Sequence, residues 1–327
     1  NELFTFRKIH LKDREIKNII GIGRNTRFLF GIKEKGALPD RLTTEEAEKY
    51  YQELVNLGMD AVADRLGVNG EFVKFLFPSA AIYKSLFEMT GAEMIWLPGS
   101  SMCDGIAADY AEKNRLVKFN HDFERDIVIE ARNLAKRYKC HSSHNQALED
   151  YALRIFDVTR RYHGMGKKER LLLQISVLLH ACGKFISMKN SNECAYNIIM
   201  STEIIGLSHL EREIVANVVR YNIRDFEYDN VHLELGAFQS GLTDVDVKKV
   251  TVLIGKLTGI LRLANSMDRS HKQKLAGCRM TMKDRKLVII TDYEGDITLE
   301  RVSFEQKADF FEEIYGIRPI LRQKRKG

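Results

Sequence analysis

The sequence predicts a mainly helical chain in three parts: an α/β region, an all-α domain and a small α+β cap. Three observations carry this. Between about residues 119 and 270 the apolar residues recur every three or four positions, with no alternating run among them. Before that stretch, two short apolar runs each end in a glycine-containing turn. After it, two strand-like segments flank a polar turn. The parts are bounded as 1–117, 118–272 and 273–327, and 327 residues are enough to give each a core.

In the first part, residues 18–22 form an apolar run closing on Gly21 and Gly23, a buried strand opening into a turn. Thr43, Thr44, Glu45 and Glu46 then read as a helix start, hydroxyls first and acids in the first turn. Ala47, Tyr50, Tyr51, Leu54 and Leu57 line one face of that helix. A second helix covers 72–89, with Pro78 expected to break or kink it. A strand at 94–97 and a helix at 103–112 complete the part. Two strands do not make a stable open sheet, so this part reads as the remainder of a larger α/β domain.

In the second part, Ser142 and Ser143 are expected to cap a helix whose apolar face is Ala147, Leu148, Tyr151, Ala152, Ile155 and Phe156. Gly164 and Gly166 separate it from a helix facing inward through Leu171, Leu172, Ile175, Leu178, Leu179 and Cys182. Further helices cover 193–202, 209–221 and 245–268. In the third part, a hairpin joins 278–282 to 287–291 around Asp284, followed by a helix at 303–315 and a strand at 317–321.

Composition narrows the function classes. Hydrophobic content of 44% and charged content of 29% suit a soluble globular chain. No apolar run nears the roughly 20 residues that span a bilayer, so no membrane role is expected. Cys103, Cys140, Cys182, Cys194 and Cys278 are scattered without a paired spacing, which reads as reduced thiols of a cytoplasmic protein rather than a zinc site. A net charge of +6 favours a polyanionic partner. The basic residues Arg322, Lys324, Arg325 and Lys326 read as a solvated tail.

The segment Leu178-Leu179-His180-Ala181-Cys182-Gly183-Lys184 carries the chemistry by what it lacks. A histidine followed by aspartate, at the end of an apolar helix and before Gly-Lys, resembles the core of the HD metal-phosphohydrolase helical fold. Here alanine holds the carboxylate position. His144, His180, Ala181 and Asn265 stand where metal ligands would be expected, and Asn265 shares a helix face with Ile254, Thr258 and Leu261. Alanine cannot ligate, and a neutral amide replaces the anionic ligand that a hard divalent ion wants. No metal is expected in this domain.

These segments resemble the exopolyphosphatase and guanosine pentaphosphate phosphohydrolase family. Cys194-Ala195-Tyr196-Asn197-Ile198-Ile199 is similar to the run that follows its histidine-containing helix. Val218-Val219-Arg220-Tyr221-Asn222 resembles its valine-arginine-tyrosine-histidine element, with Asn222 in the last position. The segment from Leu261 to Arg269 resembles its late helix, with Asn265 at the aspartate position. Ile19-Ile20-Gly21-Ile22-Gly23-Arg24-Asn25-Thr26 is similar to its glycine-rich phosphate turn, although Arg24-Asn25 replaces a glycine. Glycines let backbone N–H groups approach phosphate, and a threonine hydroxyl can donate to it.

The resemblance implies an actin-like (ribonuclease H-like) domain, of which residues 1–117 are the C-terminal half. It further implies an HD-like helical domain and the cap. It implies phosphoanhydride hydrolysis: terminal phosphate leaves inorganic polyphosphate or guanosine pentaphosphate, with Mg²⁺ in the complete enzyme. The family's first lobe, with its phosphate loop and catalytic carboxylate, has no counterpart in the chain, so no catalytic residue is expected within it.

Gly21, Gly23, Asn25, Thr26 and Arg27 are the candidates for the phosphate site's rear wall. Arg161, Lys184, Arg220, Arg224, Arg269, His271 and Lys272 are the candidates for a polyanion path. A homodimer is expected, and no nucleic acid. The rival reading is a catalytically inactive regulatory or dimerisation module that binds polyphosphate or guanine alarmones. A third, an HD metalloenzyme, would require stoichiometric transition metal.

Overall fold

The computed structural model describes residues 2–12, 14–31, 39–228, 231, 233 and 244–324. The chain is mostly helical with two small sheets. It divides into two compact units, Asn1–Asn120 and His121–Gly327.

The first unit runs α1 (Glu2–His10), β1 (Asn18–Ile20), α2 (Arg24–Phe30), β2 (Arg41–Thr43), α3 (Thr44–Leu66), α4 (Gly70–Thr90), β3 (Met94–Trp96) and α5 (Met102–Lys113). β3 is the central strand, parallel to β1 and antiparallel to β2. The sheet thus has three strands where the sequence pattern indicates two. β2 carries a single apolar residue, Leu42, and so lacks the alternation that marks a strand. Its register sets Leu42 opposite Ile95, and both are buried.

Thr43 caps α3 through a reciprocal pair of bonds with Glu46. Ala47, Tyr50 and Leu54 are buried as their spacing requires. The helix break falls at Gly58 in α3, where φ is 73°, and not at Pro78. α4 continues through Pro78. The proline removes one bond to the Lys74 carbonyl, but Lys74 and Pro78 are not buried, so water can take its place.

The second unit contains α6 (Phe123–Arg137), α7 (Ser142–His163), α8 (Lys167–Leu179), a 3₁₀ turn (Cys182–Phe185), α9 (Ser191–Ser201), α10 (His209–Arg220) and α11 (Asp244–Ser266). β4 (Arg279–Lys283), β5 (Lys286–Thr291), α12 (Thr298–Tyr315) and β6 (Arg318–Gln323) follow. The last five residues of α8 are buried on every face, as befits a helix surrounded by others. The cap of α7 is His141, not a serine: its ring Nδ1 accepts from the His144 amide. Gly164, at φ 67°, ends that helix in the left-handed region.

β4 and β5 form the expected hairpin, with Asp284 and Arg285 both at positive φ, the turn that matches strand twist. β6 returns parallel to β5 after the α12 crossover. Leu287, Ile289, Phe304, Phe311 and Ile317 join Ile155, Leu178 and Leu257 in one apolar core. Polar ties reinforce it. Arg154 donates to the Cys278 carbonyl, and the Tyr315 hydroxyl donates to the Lys256 carbonyl at 2.6 Å. Buried Glu300 accepts from the Ser270 amide at 3.1 Å and pairs with Lys274 at 3.1 Å.

Arg322 and Gln323, expected in a solvated tail, belong to β6, where Gln323 donates to the Tyr293 and Gly295 carbonyls. Lys324 lies 3.6 Å from Asp292, whereas Arg325 and Lys326 fall outside the described residues. All five cysteines are free thiols. Among the described residues no helix is long and apolar enough to cross a membrane.

Candidate functional site

In the first unit, the turn at residues 21–23 connects β1 to α2, which begins at Arg24, and is held to the end of β3 and the chain beyond it. The Gly21 amide donates to the Trp96 carbonyl at 2.8 Å, and the Gly23 amide to the Ser100 carbonyl at 3.0 Å. A Cβ on Gly21 would lie 2.8 Å from Thr26 Cγ2 and 3.1 Å from methyls of Ile95 and Leu97, so a larger residue would have to push these three side chains aside. Gly23 sits at φ 113° with nothing near its missing Cβ; its constraint is conformational.

The side chains that follow it in α2 divide. Thr26 is buried, its hydroxyl bonded to the Ile22 carbonyl at 3.2 Å and to the Tyr83 hydroxyl at 2.6 Å. The Asn25 amide donates to Ser79 at 3.0 Å. Both are engaged inside the unit. Arg24 lies over the Phe72 ring at 4.5 Å, and Arg27 is exposed. Gly23, Arg24, Arg27, Arg65, Gly99 and Ser101 help to wall a cavity of about 770 Å³. Arg65, absent from the sequence-derived candidates, joins through α3 and pairs with Glu53 at 2.8 Å. The cavity is therefore lined by three arginines, of which Arg65 is paired, and by Gly23 and Gly99.

In the second unit, His144 from α7 and His180 at the end of α8 are brought together, with ring centroids 5.3 Å apart. His144 Nδ1 donates to Asp268 Oδ2 at 2.7 Å, and both side chains are buried. Asp268 also accepts from the Gln273 amide at 2.7 Å and its side chain at 3.1 Å. Burial alone would raise the Asp268 pKa, but these bonds outweigh it and hold it below the ordinary value. His180 Nδ1 donates to the Val177 carbonyl at 2.7 Å. Burial pushes its pKa down to about 3, so the ring is neutral. His144 Nε2 and His180 Nε2 are enclosed without partners. His271 stacks on His144 at 3.8 Å, its pKa lowered by burial and by the charges of His144 and Lys184.

Asn265 is half-buried on the wall of another cavity, although Ile254, Thr258 and Leu261 of its predicted face are fully buried. The carboxylate that meets His144 is Asp268, three residues further on. Sequence reasoning missed it because the motif comparison placed the acid at 265. Ala181 lies between the helix end and the 3₁₀ turn. Beyond it, a Cβ on Gly183 would be 1.8 Å from the Ser191 carbonyl oxygen. Glycine there lets α9 press directly on the turn.

The basic candidates form separate groups. Lys184 is exposed, and its charge acts on His180 and His271. Arg220 and Arg224 both pair with Glu193, at 2.8 Å and 3.1 Å. Arg269 and Lys272 flank His271 in the turn after α11, and Arg161 is exposed in the last turn of α7.

Among the described residues no three His, Cys, Asp or Glu side chains are placed to hold a metal ion. Magnesium wants oxygen ligands, carboxylates first, and the arginine-rich cavity of the first unit supplies no carboxylate. These walls do not fit Mg²⁺.

Residues 128–307 match the family model described as Ppx/GppA phosphatase, domain III, and lie within the second unit. Over 146 residues the chain is 25% identical to a guanosine-5'-triphosphate,3'-diphosphate pyrophosphatase of Photobacterium profundum. That match covers 44% of this chain and 28% of the relative, less than a third of its length.

Proposed function

The chain belongs to the Ppx/GppA phosphatase family, and on that premise we propose that it is part of a phosphoanhydride hydrolase. The reaction is release of terminal phosphate from inorganic polyphosphate or guanosine pentaphosphate. In this reading the first unit is the C-terminal half of an actin-like domain and the helical unit an HD-like domain that has lost its metal. Residues 273–327 form the cap, and the working protein is a cytoplasmic homodimer that uses Mg²⁺.

One observation carries the reading: the cavity of the first unit sets Arg24, Arg27 and Arg65 around the glycine turn at Gly23. Arginines set about one point attract a phosphoryl group and neutralise charge that builds on it. Gly23 carries no side chain and has nothing within 4 Å of its missing Cβ, which leaves room beside the arginines for a phosphoryl group. Arg27 supplies an exposed charge, whereas Arg24 lies over the Phe72 ring. The water-activating carboxylate lies outside this chain in the proposal, because Asp104, the acid whose pKa Arg27 helps to depress, is bound by Ser101.

The test is phosphate release from polyphosphate, with the chain alone and with the first lobe supplied. Turnover is expected only in the second case. Robust release by residues 1–327 alone would sink the assignment.

A second reading has its own support. The Thr26 hydroxyl and Asn25 amide, which would face phosphate in a working turn, are bonded to Tyr83 and Ser79. That favours a regulatory module that binds polyphosphate or a guanine alarmone without cleaving it. A whole protein that has both lobes, binds polyphosphate and releases nothing would select this reading.

A further inference from the structure

We propose that the cavity between the segment after α10, the C-terminal end of α11 and the first half of α12 is a seat for a phosphate-type oxyanion, separate from the cavity beside Gly23. Its volume is about 350 Å³. That is the low end for ligand pockets, enough for one or two phosphoryl groups but tight for a whole nucleotide. Three basic side chains, Arg262, Arg269 and Lys307, stand on its wall, and among the described residues no Asp or Glu does.

The wall is built rather than incidental. Arg262 is only 6% exposed. A guanidinium so enclosed needs compensation, and its hydrogen-bond and ring partners are neutral: the Tyr221 carbonyl at 2.8 Å, the Arg224 carbonyl, and the Phe310 ring at 4.3 Å. Burial pushes its pKa down to about 10. The Lys307 pKa is also lowered, by burial and then by the positive charges of Arg262 and Arg269. Asp225 acts against both shifts, but it is exposed and outside the cavity wall. Arg262 and Arg269 thus act on Lys307 across a wall on which no described acid stands.

The polar neighbours complete the pattern. Asn222 is 4% exposed, and its Oδ1 is enclosed without a hydrogen-bond partner. Its amide oxygen and nitrogen are interchangeable by rotation, so the same group can present N–H donors to an anion. Ser303 and Gln306 of α12 add neutral donors on the wall. A tetrahedral oxyanion satisfies several donors converging from three helices and relieves the repulsion among the cations. The seat stands on this geometry, independent of whether the first unit takes part in hydrolysis.

Equilibrium dialysis of the whole chain against inorganic pyrophosphate tests it. Saturable binding is expected, weakened about tenfold or more in Arg269→Gln/Lys307→Gln. Gln306→Glu, which places an acid on the wall, is expected to weaken it as well. Lys113→Gln, at an exposed position that lines neither cavity, is expected to leave it unchanged. Displacement of pyrophosphate by long-chain polyphosphate would support a seat that takes the end of a chain. Failure to displace would support a seat for a free small anion. No saturable binding, equal affinity in the double variant, or loss of binding in Lys113→Gln would overturn the proposal.

Discussion

His144 and Asp268, 124 positions apart in sequence, meet through a 2.7 Å hydrogen bond that closes the start of α7 onto the end of α11. Neither side chain reaches solvent. Asp268→Ala removes the acceptor and leaves His144 Nδ1 and the Gln273 donors enclosed without it. The expected cost is about 3 kcal/mol, read from the urea midpoint of the full chain. A loss below about 1 kcal/mol would show that water replaces the carboxylate at little cost.

Acid should loosen the second unit. With His180 held near pKa 3 in the folded chain and ordinary when unfolded, only the unfolded form takes a proton as pH drops below about 6.5. Stability therefore falls by up to about 1 kcal/mol per pH unit from 6.5 towards 3. The lowered pKa values of His163 and His271 act in the same direction. Asp268, depressed in the folded state, adds its own loss only as pH falls below about 3.8. Urea midpoints at about pH 7.5 and about pH 5.5 should differ, and His180→Leu should shrink the difference.

Gly183→Ala should be among the most damaging single changes in the helical unit. The added Cβ meets backbone atoms, 1.8 Å from the Ser191 oxygen and 2.5 Å from the Ala195 nitrogen, and backbone cannot rotate aside. A loss of at least about 3 kcal/mol is expected, seen as a lower thermal midpoint. An unchanged midpoint would mean that α9 can move away from the turn.

Thr26→Val and Arg27→Gln should separate support from binding in the glycine turn. Losing the bonds to Tyr83 and Ile22 should cost Thr26→Val about 1 kcal/mol of stability. Arg27→Gln, at an exposed position, should stay within about 0.5 kcal/mol of the parent while weakening polyphosphate binding. Unfolding curves and dialysis on the same preparations check both statements.

The helical unit was legible because its apolar positions repeat locally. Leu148, Tyr151, Ala152, Ile155 and Phe156 are buried as their spacing on α7 required. β2 was not, since one leucine in three residues makes no pattern and its pairing with β3 is long-range. The site was less legible than the fold. Thr26 has a residue type suited to phosphate, but its direction is set by Tyr83, 57 positions away. His144 and His180 were recognisable from their motif. Asp268 was not, because a carboxylate's partner across 124 positions leaves no local trace.

The packing of the cap has a consequence for synthesis. Ile317 is fully buried in the core of the second unit, and β6 pairs along the whole length of β5. A nascent chain that has emerged only as far as α12 still lacks the strand that covers one edge of β5. The second unit can therefore be completed only after that last strand has cleared the ribosome. Until then Leu287 and Ile289 sit in an unfinished sheet, the state in which a waiting chaperone would find them.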